Sequence, residues 1–184
     1  MSRIIIFNGS PRKNGYTSRL LSKVAEGAKS KGAEVMEFDL NDPGIRGCQG
    51  CFYCRSHDGC AVNDYLQPMY DAIKDADAIV FGSPIYYYQV TGQSRLWLDR
   101  TFPMVGDGFA PRHPGKKAVT IFSQGNPNPE IGAGAVNFIA NVLDTTYGWK
   151  IEDTIHCCGT NNMDPAVLEE LLARAYQDGE NLAG

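Results

Sequence analysis

Four cysteines fall within thirteen residues, Cys48-Gln-Gly-Cys51-Phe-Tyr-Cys54-Arg-Ser-His-Asp-Gly-Cys60. Thiols this close can converge on one centre without help from distant parts of the chain. Thiolates at such spacing ligate iron–sulfur clusters and structural zinc. The C-x2-C-x2-C start matches the bacterial ferredoxin pattern, but the last gap is five residues instead of three, and Ala61 stands where that pattern has proline. Zinc sites more often join two knuckles across a longer insert. On these residues alone three readings stand: a cluster, a zinc ion, or free thiols lining a pocket wall.

Three further stretches carry a different chemistry. Gly9-Ser10-Pro11-Arg12-Lys13-Asn14-Gly15-Tyr16-Thr17-Ser18 leads into a helical pattern. Hydroxyls, backbone amides and two cations at a helix N-terminus form a phosphate cradle. The bland alternative is a turn with a helix cap. No Gly-Lys-Ser/Thr follows the second glycine, and G-x-G-x-x-G is absent, which leaves a mononucleotide phosphate. Gly82-Ser83-Pro84-Ile85-Tyr86-Tyr87-Tyr88-Gln89 offers tyrosines suited to stacking on a flat ring. Tyr88 is expected to pack on the following helix instead. Ser123-Gln124-Gly125-Asn126-Pro127 is small and polar: either its amides reach a ring edge, or it is an ordinary surface loop.

The elements that must position these residues alternate along the chain. Arg3 to Asn8 reads as a buried strand. Leu20, Leu21, Val24, Ala25 and Ala28 recur at helical spacing, with Gly32 as the stop. Glu34 to Leu40 is a second strand, nearer an edge, and Asp64 is placed to cap a short helix through Met69, Tyr70 and Ile73. Ala78–Phe81, Ala118–Phe122 and Trp149–His156 complete five strands, with helices at Ser94–Phe102, around Val136 to Leu143, and from Asp164-Pro165 onward. Strands separated by helices predict a parallel sheet covered on both faces, in the flavodoxin-like order 2-1-3-4-5. Ligands in such sheets bind beyond the carboxyl ends of the strands, where all three polar stretches lie.

At 184 residues one domain, 1–184, is expected, with the cysteine-rich loop at 47–63. The chain is long enough to bury a core without disulfides, so its six cysteines read as metal or redox chemistry in a reducing cytoplasm. The early apolar run Ile4–Phe7 is too short for a signal core or a membrane span. A net charge of −4, with basic residues dispersed, argues against nucleic-acid binding.

Taken together, the strand followed by G-S-P-R-K-N-G-x-T, the cysteine loop, the G-S-P-x-Y segment and Leu98-Asp99-Arg100-Thr101 resemble the NADPH-dependent FMN reductase family, in its flavodoxin-like iron–sulfur flavoprotein branch. The resemblance runs from Met1 to about Thr101 and beyond that is mostly one of element order. It implies FMN bound without a covalent link, the phosphate against Ser10, Arg12, Asn14, Thr17 and Ser18. The ring would lie over Pro84, Ile85, Tyr86 and Tyr87, with Ser123 and Gly125 on its far side. Cys48, Cys51, Cys54 and Cys60 inherit the ligands of a 4Fe–4S cluster, although many relatives keep such cysteines without a proven one. The same resemblance implies NAD(P)H or ferredoxin as donor, a small-molecule acceptor, and a homodimer or homotetramer. The alternative is a flavodoxin-like FMN carrier with no turnover of its own. No residue reads as a catalytic acid or base: His57 is expected to be solvated, and His113 sits in a segment, Pro103 to Gly115, expected to be a flexible lid or interface loop.

Overall fold

A computed structural model describes residues 1–184. Five parallel strands, β1 (Arg3–Asn8), β2 (Glu34–Asp39), β3 (Ala78–Tyr86), β5 (Lys117–Ser123) and β6 (Lys150–Cys157), lie in the order β2-β1-β3-β5-β6. This is the flavodoxin-like arrangement expected from the alternation of elements. A sixth strand, β4 (Gln89–Val90), was not expected; it pairs antiparallel with the end of β3. Its presence lengthens β3 beyond the apolar run Ala78–Phe81. The ladder continues to Pro84, which sits opposite Ser123. Gly82-Ser83-Pro84 is therefore strand rather than loop.

Residues alternate between the two faces of the sheet, so each strand feeds two cores. On one side Ile5, Phe7, Ile79, Phe81 and Phe122 meet α2 (Met69–Asp75), α3 (Gly92–Arg100) and α4 (Glu130–Asn141). On the other, Ile4, Ile6, Val80, Val119 and Ile121 meet α1 (Tyr16–Ser30) and α5 (Pro165–Ala183). Trp97 of α3 packs between Phe7 and Phe81, its ring 4.8 Å from each. Aromatic side chains bury roughly 150–250 Å² apiece, so this cluster fixes α3 firmly on the sheet.

The helix ends show where local signals held. Asp164 caps α5 by accepting from the Ala166 amide, and Pro165 occupies its first turn. Asp64 does not cap α2; Pro68 stands there without a side-chain cap. The Asp64 carboxylate accepts the Leu66 amide ahead of the helix and pairs with Arg100. No helix is long and apolar enough to cross a membrane.

Candidate functional site

The carboxyl ends of β1, β3, β5 and β6 open onto a polar cleft of about 520 Å³. That size falls within the ordinary range for a small-molecule site. The loop after β1 is folded on itself by its own hydroxyls. Ser10 Oγ donates to the Arg12 carbonyl (3.1 Å) and accepts the Arg12 amide (3.2 Å), and the Gly15 amide also reaches that carbonyl (3.0 Å). The turn delivers the chain to α1, whose N-terminus has no side-chain cap. The first amides of a helix have no intrahelical partner, so they and the positive end of the helix dipole are offered to an anion. Arg12 and Asn14 are exposed at the same mouth.

The floor is held by α3. Thr91, its cap, donates to the Gly9 carbonyl (2.8 Å) while its own amide donates to Ser83 Oγ (3.1 Å). The backbone passes so near α3 at Gly9 that a Cβ there would run into Ser94 Oγ and lie 3.0 Å from the Gly82 carbonyl. On the far wall Thr17 Oγ1 and Ser123 Oγ share a buried hydrogen bond of 2.7 Å, tying α1 to the end of β5.

Of the residues singled out from the sequence, Ser10, Arg12, Asn14, Thr17, Pro84, Ile85, Tyr86, Ser123 and Gly125 line this one cleft. Ser18 does not: its hydroxyl turns inward to the Arg12 carbonyl (2.8 Å) and braces the loop from behind. Tyr87 does not either. It is 97% exposed at the β3–β4 turn, where Tyr87 and Tyr88 both take positive φ (47° and 65°). That backbone suits Asn-Gly and is strained for bulky residues. Tyr88 is also exposed rather than packed on α3. With Tyr87 it forms a shelf beside Ile85, Gln124 and Gly125, contiguous with the cleft.

Gly15 and Tyr16 of the same β1 loop and Gln124 of the β5 loop also line the cleft, together with Thr160 and Asn161, which no sequence motif marked. Gln124 is locked in place by its amide, which donates to the Asn126 (2.9 Å) and Asn128 (2.7 Å) carbonyls, and by His156 Nε2 at its Oε1 (3.0 Å). Burial pushes the His156 imidazole below its usual range, which favours the neutral ring there. Thr160 and Asn161 arrive because the loop after β6 bonds back to the loop after β5, Thr160 N to the Gln124 carbonyl (3.1 Å). The only usable signal for them was their place after the last strand. The cleft lining holds no histidine, carboxylate or thiol.

The four cysteines lie on the α3 side of the sheet. Cys48, Cys51, Cys54 and Cys60 all line one small concavity of about 90 Å³, walled also by Phe52, Asp99, Arg100, Phe102 and Pro103. All four are free thiols. No three His, Cys, Asp or Glu side chains come close enough to hold a single metal ion, yet four thiols share one concavity. The amides of Gly50 and Val62 approach Cys48 Sγ and Cys60 Sγ, each at 3.5 Å, the N–H···S contacts that stabilise anionic sulfur. Burial pushes the Cys54 thiol up, and the Cys60 and Cys48 sulfurs add to it. Left without a metal, Cys54 is a poor nucleophile at neutral pH.

The segment Pro103 to Gly115 is not a free lid. Arg112 donates to the Cys54 (2.8 Å) and His57 (2.7 Å) carbonyls, and Trp149 Nε1 donates to the His113 carbonyl (2.9 Å). In return Arg55 donates to the Gly106 carbonyl (3.0 Å), its guanidinium 4.2 Å from the Phe102 ring centre. The segment braces the cysteine loop. His57 is exposed and stacks on Tyr53 at 3.8 Å.

A family model described as NADPH-dependent FMN reductase matches residues 2–128. Among curated proteins, an iron-sulfur flavoprotein of Archaeoglobus fulgidus is 28% identical over 177 residues, 95% of this chain and 76% of that protein. An iron-sulfur flavoprotein of Clostridioides difficile is 33% identical over 149 residues, 79% of this chain but only 63% of the relative. Among solved structures, an NAD(P)H:quinone oxidoreductase from Methanothermobacter marburgensis superposes with a TM-score of 0.77 at 22% identity, covering 100% of this chain and 96% of that one. An FMN-dependent NADH-azoreductase from Bacillus anthracis in complex with FMN does so with a TM-score of 0.73 at 12% identity, covering 100% of both chains. At these identities the solved structures speak for the fold.

Proposed function

The chain belongs to the NADPH-dependent FMN reductase family, and from that premise we propose an FMN-dependent oxidoreductase with two redox sites. FMN occupies the cleft at the ends of β1, β3 and β5, and a 4Fe–4S cluster occupies the cysteine concavity. The observation that carries the reading is the uncapped start of α1 within a cleft of mononucleotide size. An orphaned helix N-terminus beside Arg12, Asn14 and Ser10 suits a phosphate, and Pro84, Ile85 and Tyr86 provide the flatter, less polar part of the wall.

FMN, when bound, supplies the electron chemistry, and the cluster, when bound, supplies a one-electron relay. The chain's own residues orient and insulate. Thr17 and Ser123 hold the two sides of the cleft at a fixed separation through their shared bond. Thr91 keeps Gly9 and Ser83 in register, so that the phosphate end and the ring end of the cleft move as one body. Because no histidine or carboxylate lines the cleft, its walls offer binding rather than proton transfer, in keeping with chemistry that resides in the cofactor.

Cys48, Cys51, Cys54 and Cys60 fit a cluster by donor type, since all four are thiols with amide support at two of them. NAD(P)H or ferredoxin is the donor in this reading, and a quinone, flavin or similar flat molecule is the acceptor. In this reading Tyr87 and Tyr88, exposed beside the cleft, stack against it. Association into a homodimer or homotetramer, with the cysteine loop near a neighbour's flavin, belongs to the same reading.

Anaerobic stopped-flow mixing of FMN-loaded protein with NADPH tests it. Direct bleaching of the flavin band is expected. No reduction by NADPH or NADH, with reduction by ferredoxin alone and no turnover of quinones, would support the carrier alternative instead. Recovery of FAD rather than FMN from the purified protein would sink the single-phosphate reading of the cleft.

A further inference from the structure

α3 ends in a buried cation. Arg100 Nη1 donates to the Arg46 carbonyl (2.7 Å) and to Asp64 Oδ2 (2.6 Å), and Nη2 donates to the Val62 carbonyl (3.0 Å) and Asp64 Oδ1 (3.2 Å). Asp64 in turn accepts the amides of Arg46 (2.9 Å) and Leu66 (3.0 Å). The side chains of the pair are 0% and 3% exposed. Arg46 lies two residues before Cys48, and Val62 lies two residues after Cys60. One guanidinium thus fastens both sides of the neck of the cysteine loop.

Stability alone does not account for this pair. Burying two charges costs desolvation that their attraction barely offsets, and an apolar pair of the same volume commonly serves a core equally well. What an apolar pair cannot do is bind two backbone carbonyls and a carboxylate at once. The planar fork of arginine can, and lysine lacks the geometry. Burial works against ionisation of Asp64, but the Arg100 guanidinium and the Arg46 and Leu66 amides outweigh it and hold its carboxyl below the usual range. Arg100 also contributes to the wall shared by the four thiols, and its Nε–H is buried without an acceptor. A sulfur atom in the concavity is the kind of acceptor that such an orphan lacks.

We infer that Arg100 is the positioning residue of the cysteine site: through Arg46, Val62 and Asp64 it holds Cys48 and Cys60 at one concavity before any metal arrives. The inference rests on the reading that these thiols hold a cluster. It gives an exposed loop with almost no regular structure a fixed closure, so that the entropy of bringing its ends together is spent in folding and not in cluster assembly. It also makes α3 a shared support. The cap of this helix holds Gly9 and Ser83, the residues just before Ser10 and Pro84 of the cleft, while its last residue holds the cysteine loop, and nine residues of helix rise only about 13 Å between them.

The test compares wild type with Arg100→Lys in two measurements: hydrogen exchange of the metal-free protein, and iron and sulfide content after anaerobic reconstitution with ferrous iron and sulfide. Residues 46–64 of Arg100→Lys are expected to exchange about tenfold faster or more, with β1, β3 and β5 unchanged. Iron is expected to fall to less than about half of the wild-type content of roughly four per chain, and FMN affinity to stay within about twofold. A paired Arg100→Met/Asp64→Leu variant leaves no charge buried and serves if the lysine variant fails to fold; it is expected to show the same two losses. Wild-type exchange and wild-type iron in either folded variant would overturn the inference. Wild-type protein that takes up no iron sinks the cluster reading; faster exchange in the variants would then still assign closure of the thiol loop to Arg100.

Discussion

The two ends of α3 meet two regions built on opposite principles. At its first turn lies the cleft, whose walls are strand ends and the helix that follows β1. Pro84 and Ser123 sit opposite each other in the sheet ladder, the remaining walls leave directly from strand ends, and the hydroxyls of Ser10, Thr17 and Ser123 bond to one another or to backbone over short distances. At the last turn lies the cysteine loop, where a single turn at Tyr53–Arg55 is the only regular structure between Asp39 and Met69. Three arginines from three places hold it: Arg100 at the neck, Arg112 on the Cys54 and His57 carbonyls, and Arg55 reaching out to Gly106 and Phe102. The cleft is therefore a product of the fold and stands ready for a ligand without charges in its walls being paired. The loop is a product of side-chain clasps, and its closure fails when one clasp is lost. A sheet edge tolerates single changes around it because its backbone bonds are many; a clasped loop concentrates its order in a few side chains.

If the two sites depended on each other, the contrast between fold-built cleft and clasped loop would vanish. Cys54→Ser is expected to cut reconstituted iron from about four per chain to less than a tenth of that, while the FMN dissociation constant changes by less than about twofold. Iron analysis beside a flavin titration reads both, and loss of FMN along with iron would show one coupled site. The converse change, Arg12→Ala, is expected to weaken FMN by about 1.5–3 kcal/mol, the size of a hydrogen bond to a charged group, with iron unaffected. An unchanged flavin titration would mean that Arg12, exposed in this structure, stays in solvent and that backbone amides alone hold the phosphate.

A third change strengthens the sheet body without touching either site. Asp178 of α5 is 8% exposed and its Oδ2 has no partner. Burial, together with the neighbouring Asp153 carboxylate, pushes its carboxyl up to about 7. The folded chain therefore keeps a proton that an unfolded carboxyl releases near pH 4. The resulting stability is fully present below about pH 4, is lost as pH climbs towards 7, and does not return above it. Asp178→Asn is expected to gain about 1–2 kcal/mol in urea unfolding at pH 8 and almost nothing at pH 4, with exchange in residues 46–64 unaltered. An equal gain at both pH values would show that the carboxyl titrates alike in the folded and unfolded chains.

The smallest effect sharpens the boundary of the cleft. Ser18 faces the Arg12 carbonyl and not the opening. Ser18→Ala is expected to cost about 0.5–1.5 kcal/mol of stability, the net worth of one hydrogen bond, and to weaken FMN no more than a few-fold. A loss as large as that of Arg12→Ala, seen by calorimetry, would place the Ser18 hydroxyl on the ligand.

The two regions also differ in how far their residues announce them. The central strands of the sheet are short, continuously buried apolar runs, and the helices between them repeat at 3.6, so the flavodoxin-like order follows from patterns local to each segment. Position at or after the end of a parallel strand then brings Ser10, Arg12, Asn14, Thr17, Pro84, Ile85, Tyr86, Ser123 and Gly125 to one edge, because every such strand ends there. Thr160 and Asn161 escaped because their place depends on pairing between two loops far apart in sequence. The turn at Tyr87 and Tyr88 escaped because nothing in three tyrosines signals a hairpin of positive φ; β4 imposes it.

What the sequence by itself determined is the sheet, the order of its strands and the gathering of four thiols on one short segment, since all of these rest on local period and spacing. What only the tertiary structure decided is the partner of each long polar side chain. Asp64 reads as a helix cap in the sequence, because a carboxylate ahead of an apolar helical run ordinarily bonds the nearest free amides. In the fold it keeps one nearby amide, that of Leu66, but not the helix cap, and faces Arg100 from 36 residues away, inside a core where an unpaired charge is far more costly than an uncapped turn; that larger cost sets its main partner.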